Sequence, residues 1–140
     1  MKVLFDTNVV LDVLLDRDPH VRVAAKLFAL VDNGLVEGSI CATTVTTIYY
    51  IAAKSFGRAR AHNLVHDLLA VFTVAPVDRD VLDRAVDLGF DDFEDAVVHE
   101  AARASGMAAI VTRDGAGFAN ATLPVFDPPE LLAAIAAASR

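Results

Sequence analysis

Two aspartates stand where a carboxylate side chain can do chemistry in an α/β protein. Asp6 directly follows residues 3–5, an apolar run that predicts a short buried strand. Asp114 comes soon after residues 108–111, a second apolar run of the same kind. Ligands of open parallel sheets bind outside the carboxyl ends of the strands, so both carboxylates are expected at a functional edge. Each also has a structural alternative, because either side chain is suited to cap the helix or turn that follows it.

A third candidate carboxylate lies in an acidic segment at the start of a predicted helix. Asp91 and Glu94 have the spacing of a capping box, in which both side chains bond to the first backbone N–H groups of the helix. Asp95 is followed at helical spacing by Val98 and Ala102, so its side chain heads an apolar strip. Burying a carboxylate there is costly unless it pairs with a cation. We therefore predict that Asp95 is functional.

Other aspartates are given structural or supporting roles. Asp92 shares a helix face with His99 and Arg103, a face that we expect to be solvated, so Asp92 is predicted to support the site rather than form it. Asp12 lies in the first predicted helix and is expected on a solvent-facing surface. Asp127 precedes two prolines and is expected to cap the last helix.

If the three candidate carboxylates lie close together, their mutual repulsion determines what the site can bind. Two like charges 4 Å apart repel by about 4 kcal/mol at an effective dielectric constant near 20. Either one carboxyl group keeps its proton at a raised pKa, or a cation neutralises the group. Oxygen ligands with open positions suit Mg²⁺ or Mn²⁺ rather than zinc. His62 and His66 are four residues apart, but no acid or cysteine near them completes a zinc site.

The elements that must position these carboxylates alternate between strand and helix along the chain. Short strands are predicted at residues 3–5, 39–42, 71–74, 108–111 and 123–126. The helix after the second strand is expected to begin with Thr43 and Thr44 as its cap. Strands that alternate with helices through short connections predict a three-layer α-β-α fold around a central parallel sheet.

Length and composition limit the class of protein. A chain of 140 residues predicts a single domain, residues 1–140, that needs no disulfide, and the one cysteine has no partner within the chain. No apolar run approaches the roughly 20 residues of a membrane span, and no secretion signal is visible, so we expect a cytoplasmic protein. The net charge of −7 argues against a broad basic surface that coats nucleic acid.

These motifs resemble those of the PIN domain family, metal-dependent nucleases that include the VapC-like toxins of bacterial toxin–antitoxin pairs. The resemblance is carried by residues 3–8, 92–96 and 110–114 with Phe118. Their order and spacing match the family across nearly the whole chain. The resemblance implies a parallel sheet of about five strands and RNA as the substrate. It makes Asp6, Asp95 and Asp114 catalytic ligands of Mg²⁺ or Mn²⁺.

The resemblance also implies supporting residues and partners. Asn8 and Thr112 are expected beside the metal ligands as polar support. A homodimer and a cognate antitoxin protein are implied as well. Arg113, Lys54 and Arg58 are weaker candidates for holding flanking phosphates of the RNA, with plain surface charge as the alternative.

Thr47 departs from the family pattern. It occupies the place, in the helix after the second strand, where the family usually has a glutamate, and a hydroxyl brings no negative charge. Weakened metal binding or lost activity would leave a PIN-like module that only binds RNA or a protein. A phosphoacceptor receiver domain is the alternative from another class, but such a domain needs a lysine after its last central strand, and no lysine follows Lys54.

Overall fold

The computed structural model, which describes residues 1–139, contains a five-stranded sheet in which every neighbouring pair is parallel. Its strands are β1 Lys2–Phe5, β2 Glu37–Cys41, β3 Thr73–Ala75, β4 Ala109–Val111 and β5 Val125–Phe126. Their order across the sheet is β3-β2-β1-β4-β5. Helices cover both faces, so the predicted three-layer α/β fold with a parallel sheet is confirmed.

Seven α-helices connect and cover the strands in the described part of the chain. They are α1 Thr7–Leu14, α2 Val21–Asp32, α3 Ala42–Phe56, α4 Arg58–Val71, α5 Arg79–Asp87, α6 Phe93–Ala104 and α7 Pro128–Ala138. A short 3-10 helix, Gly115–Phe118, follows β4. None of these helices, within residues 1–139, combines the length and the apolar character that crossing a membrane requires.

The buried side chains alternate along β1, as a strand covered on both faces requires. Val3 and Phe5 pack in one core with α1, α2, α3, α4 and α7, whereas Leu4 packs in the other core with α5 and α6. Phe5 meets Phe28 and Phe72 edge to face, with ring centroids 6.0 and 5.1 Å away. Such aromatic pairs add roughly 0.5–1.5 kcal/mol each to the burial of their surface.

Several predicted strand boundaries are wrong. The second strand, predicted at residues 39–42, is Glu37–Cys41, because Ala42 already begins α3. The strand predicted at residues 71–74 begins only at Thr73, because α4 continues to Val71 and the next residue, Phe72, is buried in the first core. The last strand is limited to Val125–Phe126, since only these residues pair with β4.

The start of α3 also differs from the prediction. The helix begins at Ala42 with Cys41 as its N-cap, so Thr43 and Thr44 lie inside the helix. The side chain of Cys41 makes no capping bond. Thr44 is buried and its hydroxyl lies 2.9 Å from the hydroxyl of Thr7 at the start of α1. This contact joins the first turns of α1 and α3 at the carboxyl edge of the sheet.

The position of β1 in the sheet decides where the candidate site forms. β1 pairs with β2 on one side and β4 on the other, and Phe5 is in register with Val111. The backbone N–H of the next residue, Asp6, donates to the carbonyl of Val111 at 2.9 Å. The residues that follow β1 and β4 therefore leave the sheet side by side.

Candidate active site

Asp6 is buried at the carboxyl end of β1 and both of its carboxylate oxygens accept hydrogen bonds. The backbone N–H of Thr7 donates to Oδ1 at 2.8 Å, so Asp6 does cap α1. The hydroxyl of Thr112 donates to Oδ2 at 2.8 Å. The capping role and the site role are therefore compatible, because each uses a different oxygen of the same carboxylate.

Thr112, at the end of β4, is the polar centre of this edge. Besides donating to Asp6, its hydroxyl accepts from the Asn8 side-chain amide at 3.2 Å and from the backbone N–H of Asp114 at 3.0 Å. The Asn8 carbonyl oxygen accepts from the backbone N–H of Arg113 at 3.1 Å. The structure thus places Asn8 and Thr112 beside Asp6, where they tie the ends of β1 and β4 together.

Asp95 and Asp114 converge on Gly117. A Cβ added to Gly117 would lie 2.6 Å from Oδ2 of Asp95 and 2.7 Å from Oδ2 of Asp114. The two carboxylate oxygens are therefore separated by no more than the sum of these distances. Asp114 also accepts from the backbone N–H of Gly117 at 3.2 Å, so it caps the 3-10 helix as its alternative role predicted.

The carboxylates of this edge act on one another electrostatically. Burial raises the pKa of Asp6, although hydrogen bonds from Thr112 and Thr7 oppose the rise, and repulsion from Asp114 and Asp92 adds to it. Burial is the largest cause of the raised pKa of Asp95, and repulsion from neighbouring carboxylates adds to it. These causes together raise the pKa of Asp95 to about 7, and the repelling carboxylates are Asp6, Asp92, Asp114 and Glu94. Mutual repulsion of this kind is the signature of acids that share one small region.

Asp92 belongs to this region and also begins α6. Its side chain accepts from the backbone N–H of Asp95 at 3.2 Å, so Asp92 is the N-cap, and the capping box predicted for Asp91 and Glu94 is wrong. As a cap beside Asp95, it orients the start of the helix that carries that carboxylate. This placement agrees with a supporting role.

The face of α6 that carries Asp92, His99 and Arg103 was expected to be solvated, but its middle is buried. His99 has no exposed surface, lies 2.9 Å from Oε2 of Glu100 through Nδ1, and accepts from the backbone N–H of Thr122 through Nε2. Glu100 in turn accepts from Nε of Arg103. The prediction failed because the chain segment around Thr122, distant in sequence, covers this face.

Asp12 is also buried rather than solvated. Arg113 donates to it through two nitrogen atoms, at 2.6 Å from Nε and 3.0 Å from the terminal amino group. Arg17 forms a second ion pair with Asp12, with Nε 3.1 Å from Oδ1. The solvent-facing prediction for Asp12 is therefore wrong, and the Arg113 guanidinium is fixed by an internal partner.

Thr47 brings no charge to the site, as its residue type predicts. Its hydroxyl donates to the Thr43 carbonyl at 3.0 Å, a bond within α3. Lys54 and Arg58 are exposed, and Lys54 is roughly 18 Å along α3 from its first residue at the helical rise of 1.5 Å per residue. The structure does not bring these two cations to the carboxylates, whereas Arg113 is covalently next to Asp114.

The residues present fit a small divalent cation. Within residues 1–139, no three carboxylate, imidazole or thiol groups are already close enough to enclose a metal ion. However, Mg²⁺ commonly keeps several waters and uses only one or two carboxylates. The missing Cβ of Gly117 leaves open the space that Oδ2 of Asp95 and Oδ2 of Asp114 face. Oxygen donors of this kind suit Mg²⁺ or Mn²⁺.

Replacing Asp95 with asparagine is expected to raise the melting temperature of the metal-free protein at pH 8 by a few degrees. In a domain of this size, about 1 kcal/mol of added stability raises the melting temperature by roughly 4 °C. The folded pKa of about 7 lies above the ordinary value of 3.8. The charged form is therefore disfavoured by folding, and this cost is fully present above pH 7 and disappears as the pH falls toward 4.

Thermal unfolding in EDTA at pH 8 and pH 5 measures the effect. The gain in melting temperature should shrink at pH 5, where the wild-type carboxyl group is protonated. An equal gain at both pH values would contradict the proposed cause. Asp87→Asn, on the exposed end of α5, serves as the matched control.

Solved structures with the same fold include proteins of toxin–antitoxin systems. A toxin–antitoxin complex from Klebsiella pneumoniae matches with 23% identity and a TM-score of 0.69, over 90% of this chain and 97% of that one. VapBC2 from Rickettsia felis, bound to a promoter DNA fragment, matches with 13% identity and a TM-score of 0.71, over 91% and 98%.

A third match is VapC20 from Mycobacterium tuberculosis, described as a toxin that cleaves the sarcin–ricin loop. It is 18% identical, with a TM-score of 0.68, over 84% of this chain and 93% of that one. At these identities the structural matches establish the fold. No curated protein matches the chain at a significant level.

A family model described as PIN domain matches residues 2–116, which include all three candidate carboxylates. The match spans well over half of the chain, and it agrees with the parallel sheet and its strand-end acids. By sequence and by fold, this chain belongs to the PIN domain family.

Proposed function

We propose that this protein is an Mg²⁺- or Mn²⁺-dependent endoribonuclease that hydrolyses RNA phosphodiester bonds. The observation that carries the proposal is the crowding of Asp6, Asp95 and Asp114 at one edge of the sheet, where the pKa values of Asp6 and Asp95 are raised partly by their neighbours' charges. Such crowding is unfavourable in itself, because the charges repel, and the caps that Asp6 and Asp114 form do not require Asp95 to lie near them. Membership of the PIN domain family supports the same reaction class.

Asp95 and Asp114 would hold the cation from either side of the space above Gly117, with Asp6 as the third carboxylate. When bound, such a cation supplies Lewis acidity for the scissile phosphate and for the attacking water. Thr112 fixes one oxygen of Asp6 by its hydrogen bond, and the Thr7 backbone N–H fixes the other. The residues of this chain therefore act mainly by orienting charge and oxygen ligands, a form of electrostatic preorganisation.

The relatives extend the proposal to a toxin of a toxin–antitoxin pair. The structures that share the fold include toxin–antitoxin complexes, so a cognate antitoxin is the proposed protein partner. Assembly as a homodimer, a cytoplasmic location and a single domain spanning residues 1–140 stay predictions. Flanking-phosphate roles for Lys54 and Arg58 also stay predictions, and their exposed positions on α3 and α4 make them remote candidates.

A cleavage assay on a mixture of single-stranded and structured RNA tests the proposal. We expect cleavage in Mg²⁺ or Mn²⁺, loss of cleavage in EDTA, and recovery when excess cation is returned. Cleavage that continues in EDTA would contradict the metal dependence. RNase contamination is controlled by the Asp6→Asn protein purified in the same way.

Thr47 favours a second candidate function, an RNA-binding module with weakened catalysis. As a threonine, it adds no carboxylate to the three aspartates, and its hydroxyl is hydrogen-bonded within α3. The outcome that selects this candidate is RNA binding without cleavage in either metal. The receiver-domain alternative has lost its support, because the chain belongs to another family and has no lysine after Lys54.

A further inference from the structure

We propose that the groove between the start of α2 and the start of α7 binds one nucleotide next to the scissile phosphate. In this inference, which rests on the proposed ribonuclease function, Arg113 contacts the phosphate of that nucleotide and Asp12 positions the arginine. The flanking nucleotide would therefore be held by a built subsite rather than by loose surface charge.

The groove has a volume of about 390 Å³, within the range of small-ligand sites. Its walls include Pro19, His20, Val23, Arg113, Asp127 and Pro128. The side chain of Arg113 lines the groove, and its backbone lies between Thr112 and Asp114 at the edge that carries the candidate carboxylates. A nucleotide in the groove would be adjacent to a phosphate at that edge.

Arg113 is held in a single orientation. Two of its nitrogen atoms donate to Asp12, which has no exposed surface, and its side chain keeps 28% of its own surface exposed. A guanidinium fixed by a carboxylate in this way loses little conformational freedom when it binds a phosphate with its remaining donors. This geometry separates Arg113 from an ordinary surface arginine.

A second arginine also faces Asp12. Arg17 pairs with the same carboxylate, and its buried Nε has no hydrogen-bond partner within residues 1–139. Two guanidinium groups therefore face one carboxylate. Asp127, the acid of the groove, accepts from the backbone N–H of Glu130, so its charge is partly offset by the start of α7.

The rest of the groove suits a nucleobase. Pro19, Val23 and Pro129 present apolar surface, and the exposed His20 adds an imidazole ring. Flat bases stack on imidazole and other planar groups with little dependence on sequence. A phosphate site joined to an apolar wall is the combination that single-stranded RNA recognition uses.

Substitution of Val23 by phenylalanine tests the groove, because the larger side chain fills it without changing any charge. The probe is a fluorescein-labelled single-stranded RNA of about ten nucleotides, measured by fluorescence anisotropy in Mg²⁺ on the Asp6→Asn background. We expect RNA binding at least about fivefold weaker, as for the loss of one stacked base. The slope of log Kd against log salt should fall by about 0.7, as for the loss of one phosphate contact on a single strand.

Val86→Phe is the matched control, since Val86 is exposed on α5, on the opposite face of the sheet. Its RNA affinity should stay within about twofold of the parent. Equal weakening by both substitutions, or unchanged binding and salt slope with Val23→Phe, would overturn the groove proposal. Thermal unfolding of each variant shows that it is folded.

Parallel cleavage assays on the same two substitutions in the active protein separate this inference from the proposed function. Cleavage with no effect of Val23→Phe on RNA affinity would overturn the groove and leave the ribonuclease standing. Groove-dependent binding without any cleavage would support the groove and overturn the ribonuclease. A parent protein that neither binds nor cuts RNA would overturn both.

Discussion

Asp6→Asn is expected to lower RNA cleavage by at least about 1,000-fold, which corresponds to roughly 4 kcal/mol of lost transition-state stabilisation. The substitution removes the charge of the most buried of the three carboxylates while it keeps the size of the side chain. The amide oxygen can still accept from the Thr7 backbone N–H, so the cap of α1 is retained. Steady-state cleavage of a labelled RNA in Mg²⁺ measures the effect.

The loss must be separated from misfolding. Because burial raises the pKa of Asp6, a neutral asparagine relieves part of the cost of burying a charge, and the melting temperature in EDTA should change by only a few degrees. Asp87→Asn, which removes a charge from the exposed end of α5, should cleave like the wild type. Activity of Asp6→Asn within about tenfold of the wild type would show that Asp6 is not a metal ligand.

Gly117→Ala is expected to reduce divalent-cation binding and RNA cleavage by about 100-fold or more. The new Cβ would stand 2.6 Å from one carboxylate oxygen and 2.7 Å from the other, closer than such contacts occur. Asp95 and Asp114 would have to swing away, since both contacts are with the ends of flexible side chains. The fold should survive, but the space between these oxygens would be filled. Calorimetric titration with Mn²⁺ and the cleavage assay measure the two losses.

Gly115→Ala is the matched control for this prediction. It lies in the same 3-10 helix, and a Cβ there meets nothing within 4 Å. Its cation affinity and its cleavage rate should both remain close to those of the wild type. If the two alanine variants behaved alike, the space above Gly117 would have no part in cation binding.

The edge that carries the acids is readable from sequence because it depends on local pattern. Residues 3–5 and 108–111 are apolar runs that end in polar residues, and parallel strands of an α/β fold present such ends to one edge. Asp6 and Asp114 were placed there by this reasoning. The helix of Asp95 follows from its periodicity, although the exact cap was missed by one residue, which is within the usual scatter of helix ends.

The buried polar residues could not be predicted because their partners are remote. Asp12 is buried by Arg113, which lies 101 residues later, and His99 is buried by Thr122, which lies 23 residues later. A helix pattern alone assigns such residues to solvent, since it contains no information about the segment that covers them. Thr44 was likewise expected to cap a helix, whereas its partner Thr7 belongs to another element.

The central place of β1 has a consequence for the order in which the protein is made. The bond from Thr112 to Asp6 joins residues that are 106 positions apart, and β1 pairs with β4 only through residues 109–111. A nascent polypeptide therefore holds Asp6 without its hydrogen-bonding hydroxyl until translation has passed β4. Contacts of such long range also favour slow folding. Truncated translation products that stop before β4 would lack both Asp114 and the strand that positions it. Such products would therefore lack the proposed nuclease activity.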